Sequence, residues 1–289
     1  MLDLLRAASA SHVRGQRVEA VRLTVSLLLA AAGLVAAFID TTATPIAVAG
    51  AAWAITYVTG VNPWAKREAR RGATVQEMFD VDLFGLPWNQ TAAGDRLPPH
   101  EVNYLVRKFT PSRGRGDRLR DWYVDTDGVP QPYDVLICQE QNLGWDARLR
   151  RRWARVLLSA VIVWTLLGIL VGYLADLTVA ETVARWYLPA AAALLLGIDG
   201  YRIQREVAAE RERIVPLIQE EIDRAQPPPL PAAEFRRLLK TAREIQDVIL
   251  TTRKQVARVP EWFYAWFRDV DQRDFQSNAD HLRGKLTNP

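Results

Sequence analysis

"WDARLRRRWARVLLSAVIVW", residues 145–164, sets five arginines within eight residues against an unbroken apolar run. On a soluble protein that junction would leave an exposed hydrophobic patch beside a self-repelling charge run. At a bilayer surface both halves are satisfied, the guanidinium groups by headgroups and the apolar side chains by hydrocarbon. The stretch therefore reads as a cytoplasmic stop at the start of a membrane span.

Working outward, four stretches approach the roughly 20 helical residues that a bilayer crossing needs. They cover 21–39, 44–61, 154–175 and 183–200. The second and fourth are short and alanine-rich, so a buried helix is the alternative for each. A cleaved signal peptide is the alternative for the first. Its charged lead-in is longer than a usual signal n-region, and another apolar segment follows at once.

Positive charge is retained on the cytoplasmic side of a membrane. Arg6, Arg14, Arg17 and Arg22 precede or open the first stretch, and Lys66, Arg67, Arg70 and Arg71 follow the second. Arg148, Arg150, Arg151, Arg152 and Arg155 lead into the third, while Arg202, Arg205, Arg211 and Arg213 follow the fourth. The short connections "DTTAT" and "DLTVAET" hold no lysine or arginine. The pattern predicts both termini in the cytoplasm and a multi-pass protein of the plasma (inner) membrane. The overall composition, 49% hydrophobic and 24% charged, hides this segregation. The single cysteine, Cys138, excludes an internal disulfide.

The expected fold is all-α, an integral membrane protein of four transmembrane helices with a cytoplasmic helical domain. Its divisions are 1–61 (N-terminal segment and spans one and two), 62–152 (cytoplasmic helical domain), 153–203 (spans three and four) and 204–289 (C-terminal cytoplasmic helices). In the third span Gly168 and Gly172 form a small-xxx-small pair that lets helices approach closely, within one bundle or between subunits. From Phe235 to Val259 apolar residues alternate steps of three and four, through Leu238, Ala242, Ile245, Ile249, Thr252 and Val256. That a/d stripe fits packing against the preceding helix or a coiled coil between subunits. "PEWFYAWFRD", residues 260–269, is either a packed cap or an interfacial helix.

The usual catalytic constellations do not occur: no phosphate-binding loop, no nucleophile elbow, no zinc-protease motif and no cysteine cluster. No enzymatic activity, metal or cofactor is expected, and no DNA partner. Asp80 and Asp82 form an acidic pair, which more often marks solvated or capping acids than a metal site. A basic loop is more suggestive. Arg113, Arg115, Arg118 and Arg120 interleave with glycines and precede Trp122 and Tyr123. Guanidinium forks suit phosphates and aromatic faces stack on bases, so this loop is the candidate ligand site, with a solvated loop touching anionic lipid as the alternative.

Three stretches together resemble one family. They are "VQEMFDVDLFGLPWN" (75–89), "ICQEQNLGWDARLRRRW" (137–153) and "PEWFYAWFRD" (260–269). In order and placement they resemble the SMODS-associating four-transmembrane effector domain of bacterial CBASS-type anti-phage systems. The residues that carry the resemblance are Phe79, Asp80, Leu86, Pro87, Trp88, Asn89, Cys138, Gln139, Asn142, Trp145, Asp146, Arg148 and Arg150. The resemblance implies a homo-oligomeric membrane effector, triggered by a cyclic oligonucleotide to permeabilise the inner membrane and arrest or kill the infected cell. A constitutive channel or transporter, or a membrane-tethered scaffold for a partner protein, is the rival reading.

Overall fold

A computed structural model describes residues 1–36, 43–110, 119, 122–225, 229–255 and 259–287. The regular structure of the described residues is all helical, with no strand among them. In chain order they form α1 (Leu2–Ala36), α2 (Ala43–Thr56), a π-helical turn (Tyr57–Val61), α3 (Asn62–Phe84), α4 (Gln90–Ala93) and α5 (Pro99–Lys108). Then come α6 (Tyr133–Leu174), α7 (Val179–Thr182), a second π-helical turn (Val183–Tyr187), α8 (Leu188–Asp223), α9 (Ala232–Gln255) and α10 (Glu261–Thr287).

Local chemistry sets these boundaries. α5 opens on Pro99, where a missing N–H costs nothing, and closes on Arg107 and Lys108, which suit the helix C-terminus. α3 stops at Gly85, whose φ of 64° lets the Leu86 N–H turn back to the Val81 carbonyl at 3.1 Å. α6 ends the same way without glycine. Asp176 takes the left-handed conformation at φ 51°, and the Leu177 N–H reaches the Gly172 carbonyl at 2.9 Å. Thr178 and Glu181 then form a reciprocal capping box that starts α7.

The chain divides into two compact units. One holds Met1–Val13, Glu68–Arg150 and Glu206–Pro289; the other holds Arg14–Arg67 and Arg151–Arg205. The polar stretches 62–152 and 204–289 thus supply most of a single unit, which also takes in the first turns of α1. The chain passes from one unit to the other four times, each time inside a helix (α1, α3, α6 and α8).

The polar unit has a conventional core. Tyr133, Leu136, Ile137 and Leu143 of α6 meet Val81 and Phe84 of α3, Ile214, Ile218 and Ile222 of α8, and Ala279 and Leu282 of α10. The α9 stripe completes it through Leu238, Ala242, Ile245 and Ile249. The coiled-coil alternative for this stripe is thereby corrected. Leu238, Ile245 and Ile249 are at most 4% exposed within one chain and present nothing to a second subunit. Val256, the last of the stripe's proposed contacts, lies outside the described residues. A satellite cluster joins Ala7 and Ala8 of α1 to Val75 and Met78 of α3 and Val102 and Leu105 of α5. On α3, Leu83 is exposed.

The apolar unit inverts this arrangement. Its large hydrophobics face outward, among them Leu28, Leu166, Ile169, Leu174 and Leu195. Among the described residues, the buried hydrophobic side chains there are alanines: Ala65, Ala154 and Ala190. One helix, α6, is long and apolar enough to cross a membrane among the described residues, and 11% of its apolar window is buried. A core helix of a soluble protein would be mostly buried, which this one is not.

Close approach inside this unit is made by glycine. A Cβ at Gly168 would stand 2.5 Å from Trp186 Cδ1, one at Gly172 2.5 Å from Thr182 Oγ1, and one at Gly197 2.7 Å from Val161. The small-xxx-small pair therefore seats α6 against the following segment of its own chain. Two polar groups of the following segment donate back across this seam to α6 carbonyls. Trp186 Nε1 donates to the Trp164 carbonyl at 3.3 Å, and the Tyr187 hydroxyl donates to the Thr165 carbonyl at 2.6 Å.

Candidate functional site

The residues singled out in the sequence separate into those the structure brings together and those it does not describe. Arg113, Arg115, Arg118 and Arg120 lie outside the described residues. Trp122 and Tyr123, which follow them, are half-buried in the polar unit. Tyr123 is committed to internal contacts. Its ring stacks on Phe79 (6.4 Å between centroids, 7° between planes) and tilts against Phe84, and its hydroxyl donates to Asp80 Oδ1 at 2.7 Å. Burial and the neighbouring Asp80 charge push the Tyr123 phenol well up, so it stays protonated as the donor.

Asp80 is the centre of a buried ionic network. It is fully buried, whereas Asp82 is exposed and paired to Arg96 at 2.9 Å, so the two acids share no site. The reading of Asp80 as a solvated or capping acid is corrected. Arg253 Nη1 of α9 donates to its Oδ2 at 2.5 Å, and Gln246 Nε2 donates to the same oxygen at 3.0 Å. Gln246 also donates to Glu77 Oε2 at 2.8 Å, and Arg243 Nη2 to Glu77 Oε1 at 2.6 Å. From α6, Gln139 Nε2 donates to Gln246 Oε1 at 3.1 Å and to the Ala242 carbonyl at 2.8 Å.

These groups tie α3, α6 and α9 to the residue that follows the arginine loop. Burial pushes the Glu77 carboxyl up, against the lowering pull of Gln246 and Arg243. Burial works to lower the Arg253 guanidinium, and the charges around it, Asp80 first, more than offset this, so it stays cationic. The remaining residues of the first motif extend the network. Pro87 accepts from Arg243 at 3.2 Å. Asn89 caps α4 and donates to Asp247 at 2.9 Å. Trp88 bonds the Gly94 carbonyl and lies under the Arg96 guanidinium. Phe79 and Leu86 are core.

The second motif forms a separate cluster on α6. Asp146 pairs with Arg150 one turn on and with Arg211 of α8 at 3.2 Å, and both arginines are almost fully buried. Asn142 faces Arg211 through its carbonyl and its side-chain oxygen. Trp145 stacks on Tyr264 and Phe275 of α10, at 6.1 and 5.9 Å. Arg148 pairs with Asp271 and Asp274 and lies over the Phe275 ring. Cys138 is buried in the core, and burial pushes its thiol up and out of reactive range.

Sequence reading missed the α9 partners Arg243, Gln246 and Arg253. A signal was present: each directly follows a stripe residue (Ala242, Ile245, Thr252), so the buried face is wider than the apolar stripe alone. A cleft of about 420 Å³ opens beside the network, lined by Glu206, Glu210, Asp247, Val248, Thr251, Thr252 and Gln255. Its three carboxylates disfavour a phosphate-bearing ligand. No group of three or more metal-ligating side chains occurs among the described residues.

An all-helical chain with an outward-facing apolar unit and a polar unit built on buried ion pairs defines a helical class, with one helix long and apolar enough to cross a membrane among the described residues. Residues 1–282 match the SMODS-associating 4TM effector domain, and the chain belongs to that family. It is similar to a protein of Bacillus cereus (strain VD146) described as a probable CBASS effector molecule, with 23% identity over 288 residues. That similarity covers 96% of this chain and 93% of the relative. No solved structure matches it.

Proposed function

We propose that this protein is the membrane effector of a CBASS anti-phage system: a cyclic oligonucleotide made on infection triggers it to permeabilise the inner membrane. The outward-facing side chains of the apolar unit carry this reading. Leucine, isoleucine and valine turned outward along α1, α6 and α8 need hydrocarbon around them, and the apolar residues buried inside the unit are alanines among the described residues. The four apolar segments then span the bilayer, with both termini and the polar unit in the cytoplasm. Function needs no catalysis; it needs a change in how the spans pack.

The signal is read by the polar unit, and the arginine loop is its contact, with Arg113, Arg115, Arg118 and Arg120 on phosphates and Trp122 against a base. Tyr123 plays a different part: it anchors the end of that loop to Asp80. Because α6 and its successor close at glycines, that pair leaves no lumen. Several protomers therefore share the opening, through outward faces of the spans and not through α9.

Purified protein in dye-loaded liposomes is expected to hold dye until a cyclic oligonucleotide is added, and then to release it. The double variant Arg115→Ala, Arg118→Ala weakens the response tenfold or more, since each lost charged contact costs about 1.5–3 kcal/mol. Dye retained with every cyclic oligonucleotide would sink the proposal, and leak without any would make the protein a constitutive channel. Orientation is checked in spheroplasts. An impermeant thiol reagent should label D176C from outside and N103C only after lysis; the reverse result inverts the topology.

A further inference from the structure

Helix α10 has two unlike faces at its start. Phe263, Asp271 and Phe275 are buried, and the Phe263 ring tilts against Phe267 at 5.1 Å. On the other side Trp262 is 56% exposed, Trp266 74% and Val270 48%, and the two indoles stand perpendicular, 5.5 Å apart. Four-residue spacing places all three on one stripe, about 12 Å long at 1.5 Å per residue. Beyond Val270 the exposed positions among the described residues are Arg273, Asp274, Ser277, Asp280, His281 and Lys285. The apolar stripe thus belongs to one end of the helix only.

We propose that the Trp262–Trp266–Val270 stripe sits in the headgroup layer of the bilayer and anchors the polar unit to the membrane surface. This rests on reading the apolar unit as membrane-spanning. Indole is the side chain of choice for that layer, with an apolar body and one N–H donor. Two part-exposed indoles and a valine present on the order of 300 Å², well under the roughly 800 Å² per partner of a stable protein interface. α10 is also clamped to α6 within the polar unit. Its Asp271 and Asp274 hold Arg148, which precedes Ala154 by six residues of the same helix, a rise of about 9 Å.

The test uses the full chain, one copy per lipid nanodisc, with an environment-sensitive fluorophore on single introduced cysteines. Buried Cys138 does not compete for the label. L166C reports the span, W266C the stripe and S277C the polar stretch of α10; A265C repeats the measurement with both tryptophans kept. We expect blue-shifted emission, quenched by lipid-borne nitroxide, at L166C, W266C and A265C, and water-like emission at S277C. Water-like emission at W266C and A265C with L166C in lipid overturns this inference alone. Blue-shifted emission there that lipid-borne nitroxide fails to quench also overturns it, because protein then covers the stripe. Water-like emission at L166C overturns the membrane-spanning reading itself.

Discussion

Asp80→Ala is expected to destabilise the polar unit by about 3–5 kcal/mol, because it leaves a buried guanidinium without its counter-charge. Arg253 is 8% exposed and Asp80 fully buried, so water cannot replace the lost partner. Gln246 and Tyr123 lose an acceptor in the same step, which releases the residue that follows the arginine loop. Asp82→Ala is the matched control. Its pair with Arg96 is solvated on both sides, and exposed pairs contribute about 0–1 kcal/mol.

Denaturant unfolding of the detergent-solubilised protein separates the two variants. The double variant Asp80→Leu, Arg253→Met should recover much of the loss, since an apolar pair of similar volume often replaces a buried ion pair at no cost. An Asp80→Ala variant no less stable than Asp82→Ala would mean the network carries no structural weight.

The second large effect is expected from Ile245→Lys with Ile249→Lys. Both positions are buried among α6, α8 and α10 of one chain, so each substitution forces an ammonium into the core or opens it. Either outcome exceeds what a domain with about 5–15 kcal/mol of stability tolerates. Near-UV circular dichroism should show the polar unit unfolded at any protein concentration. Glu244→Lys, on the exposed side of the same helix, should leave it folded. If the lysine pair instead dissociated an oligomer into folded monomers, the stripe would be an intersubunit contact after all.

Helices were legible in the sequence wherever spacing and caps were local properties. The apolar stripe on α9 is one such case, since its steps of three and four stand in the sequence from Phe235 onward. The four apolar runs and their arginine flanks stand in the composition itself. The three stretches quoted for the family were enough to identify it. Their roles were not readable, because Asp80 and Asp82 look alike on paper and differ only in what faces them.

The sequence by itself determined which stretches are apolar and which face of α9 is buried, while the helices of residues 2–20 and 270–287 were not read from it. Helical periodicity fixes a face from neighbours three and four residues away, and that information is local. The tertiary structure alone decided what each face meets. It folded the first 13 residues into the polar unit, gave the α9 stripe to its own chain and left Leu83 outside. It also brought Arg243 to Glu77 across 166 residues and Arg253 to Asp80 across 173. A charge can enter a core only when its counter-charge arrives with it, and no local pattern records which distant residue that is.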